Sequence, residues 1–440
     1  MLTLSVIGTG YLGATHAAGM AELGFEVIGI DTDEQKIEAL ATGRLPFYEP
    51  GLADLLKKSL DSGRLRFSTD FAQIKDADVH FVCVGTPQRM DGNAADLTYV
   101  FAAIRAIAEV AKDGSLIAGK STVPVGTAEQ LLGEIHQTNP TLDLAWNPEF
   151  LREGFAVEDT LHPNRIVVGV QSDRAETTLK QVYAKLLSEQ IPWVRTDLRT
   201  AELVKSAANA FLTTKISFIN AMAEVCDAAG ADVMTLATAI GYDPRIGHRF
   251  LQAGIGFGGG CLSKDLRGFM ARAEELGARE ALDFLSDIDS INLRARQRMV
   301  ELAVSELGGD VVGKNIFVLG AAFKPDSDDV RDSPALVISD ALKQRGARIV
   351  IHDPKAIANA KARFPHLDFD PIVASGARGA DLVLHLTEWS EYREIDPVQL
   401  GLVVSHRRII DGRNALSPTI WQNAGWSYVA PGRPRFDAHV

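Results

Sequence analysis

At 440 residues the chain holds material for about three domains at ~150 residues each. A formal charge of -12 without any basic block gives no support to nucleic-acid or anionic-membrane binding, so an anionic substrate would need local positive charge. The three cysteines, Cys83, Cys226 and Cys261, are not spaced as a metal or redox pair, which argues against structural zinc and for a reducing, cytosolic setting. No apolar run approaches membrane-spanning length, and a strand pattern beginning at Leu2 leaves no room for a signal peptide.

Leu2 to Ile7 reads as a strand running into Gly8-Thr9-Gly10-Tyr11-Leu12-Gly13. A helical pattern follows and stops at Gly24, and a second strand, Phe25 to Ile30, ends at Asp31. This is the dinucleotide fingerprint in its required context. Gly8 makes the tight turn, Gly10 admits the pyrophosphate, Gly13 allows close helix packing, and Asp31 accepts from the ribose hydroxyls. An acid there repels a 2′-phosphate, which favours NAD over NADP. Further strands run from Ala77 to Val84, from Ser115 to Lys120 and from Leu142 to Trp146. Their carboxyl ends bring Thr86, Thr122, Glu149 and Glu153 to the cofactor edge of a parallel sheet. The threonines serve either the cofactor or helix caps there, and the glutamates either acid-base work or caps. Cys83 lies in an apolar strand and reads as packing.

Between about Thr200 and Ala229 there is no Gly or Pro, and the apolar spacing predicts one long helix of roughly 45 Å. Lys205 and Asn209 share a face of it, being four residues apart. Cys226 reads as core. A glycine-rich stretch follows at Ala253–Asp265, in which Gly254, Gly256, Gly258, Gly259 and Gly260 precede Cys261. A helical pattern opens right after it, which places the thiol ahead of a helix N-terminus and near Lys264; both lower a thiol's pKa. The competing reading is a small buried hydrophobe in a flexible turn.

The last third echoes the first. Asn315 to Gly320 is again a strand into glycine, a helix spans about Pro334 to Gln344, and Ala347 to His352 ends at Asp353. Ala380 to Thr387 parallels the strand at Ala77, and Arg408 to Asn414 reads as an edge strand with its loop. The glycine fingerprint is replaced by a longer loop, Ala321 to Pro334. Its Phe323, Lys324 and Arg331 suit a nucleotide diphosphate and base, unless the loop is merely a solvated charged turn. The expected fold class is α/β: two Rossmann-like doubly wound domains, 1–198 and 309–440, joined by a central all-helical region, 199–308, with one long helix.

Taken together, Gly8 to Gly13, Gly85-Thr86-Pro87, Ser121 to Thr127, Asn147 to Gly154, Gly256 to Cys261 with Lys264-Asp265, and Phe323-Lys324-Pro325 resemble the nucleotide-sugar dehydrogenases, the UDP-glucose/GDP-mannose dehydrogenase family. The resemblance covers essentially the whole chain. The chain departs from the family's pattern at Gly260, Leu262 and Ser263, where the family usually has Ser before the cysteine and Phe-Pro or Phe-Gln after it.

What the resemblance implies is oxidation of a sugar nucleotide's C6 alcohol to a carboxylate with two NAD⁺ and one water. UDP-glucose is the nearest substrate, with UDP-N-acetylmannosamine or GDP-mannose as alternatives. It implies Cys261 as nucleophile, Lys205 and Asn209 as oxyanion donors, Asp265 as positioner of water, Glu149 as acid-base residue and Thr122 as holder of a water. Tyr11, Leu12, Lys36, Thr86, Glu153, Lys264 and Arg331 would join the glycines and Asp31 on the cofactor. Phe150, Leu151, Phe250, Gly258, Phe323, Lys324 and Arg413 would line the substrate. The same resemblance implies a homodimer or higher homo-oligomer in which Arg245 reaches into the partner's site. A two-electron β-hydroxyacid dehydrogenase would leave Cys261 and the last domain unexplained, and a non-enzymatic NAD-binding regulator would leave the cysteine, lysine and acids without use.

Overall fold

A computed structural model describes residues 2–435 and divides into two compact units, Met1–Ala208 with Arg267–Arg279, and Asn209–Leu266 with Glu280–Val440. The division falls inside three helices, Leu198–Ala229, Leu262–Glu275 and Arg279–Leu282.

In the first unit the chain lays down β1 (Thr3–Ile7), β2 (Glu26–Ile30), β3 (Leu65–Ser68), β4 (Val79–Val82), β5 (Leu116–Gly119), β6 (Asp143–Trp146), β7 (Ile166–Val170) and β8 (Trp193–Thr196). They form one sheet in the order β3-β2-β1-β4-β5-β6-β7-β8. Every neighbouring pair is parallel except β6 with β7. The central strands read as short apolar runs because both faces are covered: β4, β5 and β7 are buried at every position. Alternate residues feed separate cores, Val79, Phe81, Leu116 and Ala118 into one, Val82 and Ile117 into the other. Strand order reverses between β1 and β4, which opens a crevice beyond their carboxyl ends.

The second unit carries the rest of the long helix, the helices Val233–Gly241 and Phe284–Glu306, and a second sheet. Its strands are β9 (Asn315–Leu319), β10 (Arg348–His352), β11 (Asp368–Phe369), β12 (Leu382–His385), β13 (Arg408–Asp411) and β14 (Ser427–Val429), all parallel, in the order β11-β10-β9-β12-β13-β14. The internal echo extends to detail. Asp353 at the end of β10 accepts from the Ala321 and Ala322 amides, as Asp31 at the end of β2 accepts from Thr9. The expectation that β13 is an edge strand is corrected, because β14 lies outside it; three residues are too few to show an alternation. Among the described residues, no helix is long and apolar enough to cross a membrane.

The first turns of the long helix, which belong to the first unit, are held there by a buried acid. The helix Thr127–Thr138 starts at Gly126 with no side-chain cap of its own, and Glu202 accepts from the Gly126 and Ala128 amides at 2.6 Å each. Burial raises the Glu202 pKa to about 7, although those two N–H groups oppose the rise. A carboxyl whose pKa is higher folded than unfolded contributes stability that is present below pH ~4.5 and lost as pH rises through ~7. Glu202→Gln should therefore differ from the wild type by an amount that changes by about 2–3 kcal/mol between pH 4.5 and 8. Thermal unfolding of both proteins across that range checks this, and a constant difference would contradict it.

Candidate active site

The dinucleotide loop is built by crowding on one side and openness on the other. Gly8 has φ +86°, and a Cβ there would stand 2.8 Å from Val84. A Cβ at Gly13 would overlap the Gly8 carbonyl, whereas at Gly10 it would meet nothing within 4 Å. The helix Tyr11–Glu22 thus begins at an open glycine, without a side-chain cap and without an acid in its first turn. Such an end suits a pyrophosphate. Asp31 Oδ2 accepts from the Thr9 amide at 2.8 Å and from Lys36 Nζ at 2.9 Å. Burial pushes its pKa up, but the bonds from Lys36, Thr9 and Asp33 outweigh this and hold it below the usual carboxylate value. A charged acceptor for ribose hydroxyls is therefore in place, and the residues fit NAD. The acid is not as bare as its sequence context implied, since Lys36 partly neutralises it.

Beyond β4, β5 and β6 the strand ends are tied together. Thr86 Oγ1 donates to the Thr122 carbonyl at 2.8 Å, and Ser121 Oγ to that of Val84 at 2.7 Å. Lys120, which the sequence reading passed over, is buried; burial lowers its pKa, and its Nζ donates to Asn147 Oδ1 at 3.1 Å. Asn147 Oδ1 also accepts from Tyr183 at 2.6 Å. The next residues turn around Glu149, whose Oε2 accepts from the Leu151 amide at 2.6 Å and whose Oε1 accepts from Lys205 at 3.0 Å. Lys205 and Glu149 are 7% and 14% exposed, so this ion pair is largely withdrawn from water. The Phe150 ring lies 3.8 Å from the Arg165 guanidinium and 5.6 Å from Lys205 Nζ. Farther along, buried Glu49 accepts from the Gly154 and Ala156 amides at 2.7 Å each and from the Tyr11 hydroxyl. Burial and Glu49 raise the Tyr11 pKa well beyond its ordinary value. Glu153 is half-buried beside these groups. Glu49 had a faint signal, an acid between Tyr48 and Pro50 with no strand or helix to serve.

In the second unit Cys261 is exposed, while Cys226, like Cys83 in the first unit, is buried. The helix Leu262–Glu275 starts at the next residue. On its first turn Asp265 accepts from Asn209 at 2.8 Å and from Lys264 at 2.7 Å. The glycines ahead of the thiol are sites of close packing. Gly258 is pressed against the Asp332 carbonyl too tightly for a Cβ, and Gly259 packs against the Phe323 ring and Gly260 against the Arg331 guanidinium. Gly256, at φ +86°, faces Asn292, whose side chain accepts from the Phe257 amide at 2.8 Å and donates to the Phe257 carbonyl at 3.1 Å. Asn292 was not singled out in the sequence; a polar residue among buried positions of a helix was its signal.

The remaining expected residues are scattered through the second unit. Phe250 is partly exposed at φ +66°, a left-handed conformation rare for an aromatic residue. Arg245 is exposed and forks onto Asp243. Arg331 forks onto Asp329. Lys324 Nζ sits 5.3 Å from the Phe323 ring. Arg413 donates to the carbonyls of Leu386, Gly256 and Phe323 at 2.8 to 3.1 Å, so its guanidinium ties three loops together.

Comparison with known proteins follows this order of parts. The description "UDP-glucose/GDP-mannose dehydrogenase family" matches three times: its NAD binding domain at residues 2–187, its central domain at 199–294 and its UDP binding domain at 317–418. The chain is 40% identical to a UDP-glucose 6-dehydrogenase of Rhizobium meliloti (strain 1021), covering 98% of this chain and 100% of that one. A UDP-glucose dehydrogenase structure from Pyrobaculum islandicum superposes with a TM-score of 0.88 at 37% identity, covering 94% and 95% of the two chains. A UDP-D-ManNAc dehydrogenase structure from Pyrococcus horikoshii gives 0.85 at 26%, covering 98% and 100%. The chain belongs to the UDP-glucose/GDP-mannose dehydrogenase family, NAD-dependent oxidoreductases of nucleotide sugars.

Proposed function

We propose that the chain oxidises UDP-glucose to UDP-glucuronate in two successive two-electron steps through a thioester on Cys261, and that it does so as three functional domains, 1–198, 199–308 and 309–440. The observation that carries the reading is Cys261, the exposed cysteine of the three, directly ahead of a helix whose Asp265 is bonded to Asn209. The identity of the sugar is supported by the 37–40% match to proteins named for UDP-glucose, against 26% for a structure named for UDP-D-ManNAc.

When bound, NAD⁺ supplies hydride acceptance, once from the alcohol and once more at the aldehyde level. Gly8, Gly10 and Gly13 with Tyr11 and Leu12 would hold its pyrophosphate end, Asp31 and Lys36 its ribose, and Thr86, Thr122, Glu153, Lys264 and Arg331 the remainder. The chain's own task is the step an aldehyde cannot take alone. The Cys261 thiolate adds to the carbonyl carbon, the carbonyl π electrons move onto oxygen, and the resulting thiohemiacetal again bears a C–H bond from which hydride can leave. Loss of that hydride gives a thioester, and water then replaces sulfur to give carboxylate and free thiol. Lys205 and Asn209, one turn apart on the long helix, donate to the oxyanions. Groups of this kind contribute about 10²–10³ in rate each. Glu149, paired with Lys205, takes the proton of the attacking water, while Asp265 and Thr122 orient that water. Phe150, Leu151, Phe250 and Gly258 surround the sugar, and Phe323, Lys324 and Arg413 serve the nucleotide.

The stoichiometry follows: each UDP-glucose consumed should yield two NADH with no free aldehyde, and Cys261→Ala should form no UDP-glucuronate. Absorbance at the NADH band against chromatographic product analysis checks both. A ratio of one, or acid formation by the variant, would remove the covalent reading.

A two-fold homodimer is the second part of the proposal. Phe211, Phe218 and Val225 are 67%, 47% and 56% exposed and recur every seven residues along the long helix, a stripe that a second copy would cover. Arg245, which forks onto Asp243 of its own turn, is proposed to reach the partner's sugar-nucleotide site. Phe211→Asp with Phe218→Asp should sediment as a monomer and lose turnover, whereas a wild type that is itself monomeric at micromolar concentration would sink the dimer.

A further inference from the structure

We infer that Arg296 is a positioning residue that sets the placement of the Cys261 thiol relative to the nucleotide loop, an inference that rests on Cys261 being the nucleophile. Arg296 lies one turn after Asn292 on the helix Phe284–Glu306, with its side chain only 6% exposed. One guanidinium joins two segments. Nη2 donates to the Phe257 carbonyl at 2.7 Å, four residues before the thiol, and to Asp332 Oδ2 at 3.1 Å; Nη1 donates to Asp332 Oδ1 at 2.6 Å. Asp332 closes the loop that carries Phe323 and Lys324. Its other partner is Ser263, whose hydroxyl donates to Oδ2 at 2.6 Å from two residues after the thiol. Cys261 is therefore bracketed, before by Phe257 and after by Ser263, with both brackets ending on the Arg296–Asp332 pair.

The bracket is selective in its chemistry. Lysine could not make the two parallel bonds to a carboxylate and a third to a carbonyl in fixed directions, because its three donors sit on one atom. Asp332 adopts φ +46°, a left-handed backbone that a non-glycine residue keeps only when its surroundings hold it, and here both carboxylate oxygens are held. A thiol that must meet an aldehyde carbon at bonding distance is sensitive to displacements of about 1 Å, which can cost about 100-fold in rate.

The test uses the full-length enzyme without ligands and follows inactivation by iodoacetamide, which reads the exposed Cys261 in preference to the two buried cysteines. Ser263→Ala removes one hydroxyl and little packing, and Arg296→Lys keeps the buried charge. Both should change the alkylation rate at least about threefold and move its pH profile, and Arg296→Lys should lower kcat about tenfold with KM for UDP-glucose within about twofold. Wild-type alkylation rates and pH profiles in both variants, with kcat falling only as the folded fraction falls, would make Arg296 a purely structural residue and overturn the inference. Cys261→Ala separates the two readings: if it turns over, the nucleophile is misassigned; if it is inert while Ser263→Ala and Arg296→Lys alkylate normally, only the bracket fails.

Discussion

The peptide unit of Phe257 is the point on which the reactive loop hangs. Asn292 both accepts from its amide and donates to its carbonyl, and Arg296 donates to the same carbonyl. A loop rich in glycine has few side chains with which to hold itself and loses more conformational entropy on ordering than any other kind. Fixation has to come from the neighbours. Each net hydrogen bond contributes only about 1 kcal/mol, but removing one partner of a buried set exposes the other to a desolvation cost of about 1–3 kcal/mol. The glycines make that arrangement possible: at Gly258 the backbone lies against the Asp332 carbonyl at a distance a Cβ forbids, and at Gly259 and Gly260 it packs close to Phe323 and Arg331. The result is a thiol on an ordered backbone, with water able to reach it.

Buried carboxylates organise the first unit in three different ways, and the partner decides which. Glu202 accepts from backbone N–H groups at a helix start, and burial wins, raising its pKa. Glu49 meets two amides and a phenol, and so fixes the segment that follows Glu149 to the dinucleotide helix. Glu149 meets Lys205, so a charge that would be costly alone is matched by an opposite one at 3.0 Å. Removing one member of such a pair strands the other, at about 3–5 kcal/mol. The first turns of the long helix, which carry both the lysine and Glu202, are thereby held at two points within the first unit.

Much of this was legible beforehand because the relevant signals are local. The strand-glycine-helix-strand-acid order fixes the dinucleotide site within a short stretch of chain, and the thirty-residue span free of Gly and Pro fixes the long helix. The repeat of the same order from Asn315 gives the second sheet. What stayed hidden was set by distant partners or by brevity. β3 and β8 are short and half-exposed, so neither alternation nor an apolar run marks them. β7, a fully buried run, was visible and passed over, and its antiparallel pairing with β6 is a tertiary outcome. Asn292, Arg296, Glu49 and Lys120 matter because of atoms 27 to 107 residues away. Much of the room that the glycine run leaves is filled by the loop that ends at Asp332, a packing partner far away in sequence.

The central claim is that the sugar is carried covalently on Cys261 between its two oxidations. Glu149→Gln should slow thioester hydrolysis more than the steps before it, so acid-quenched turnover of that variant, analysed by intact and peptide mass, should show a UDP-glucuronyl adduct on the peptide containing Cys261. Continued formation of UDP-glucuronate with Cys261 unmodified throughout, or an adduct on Lys205 in its place, would contradict the account.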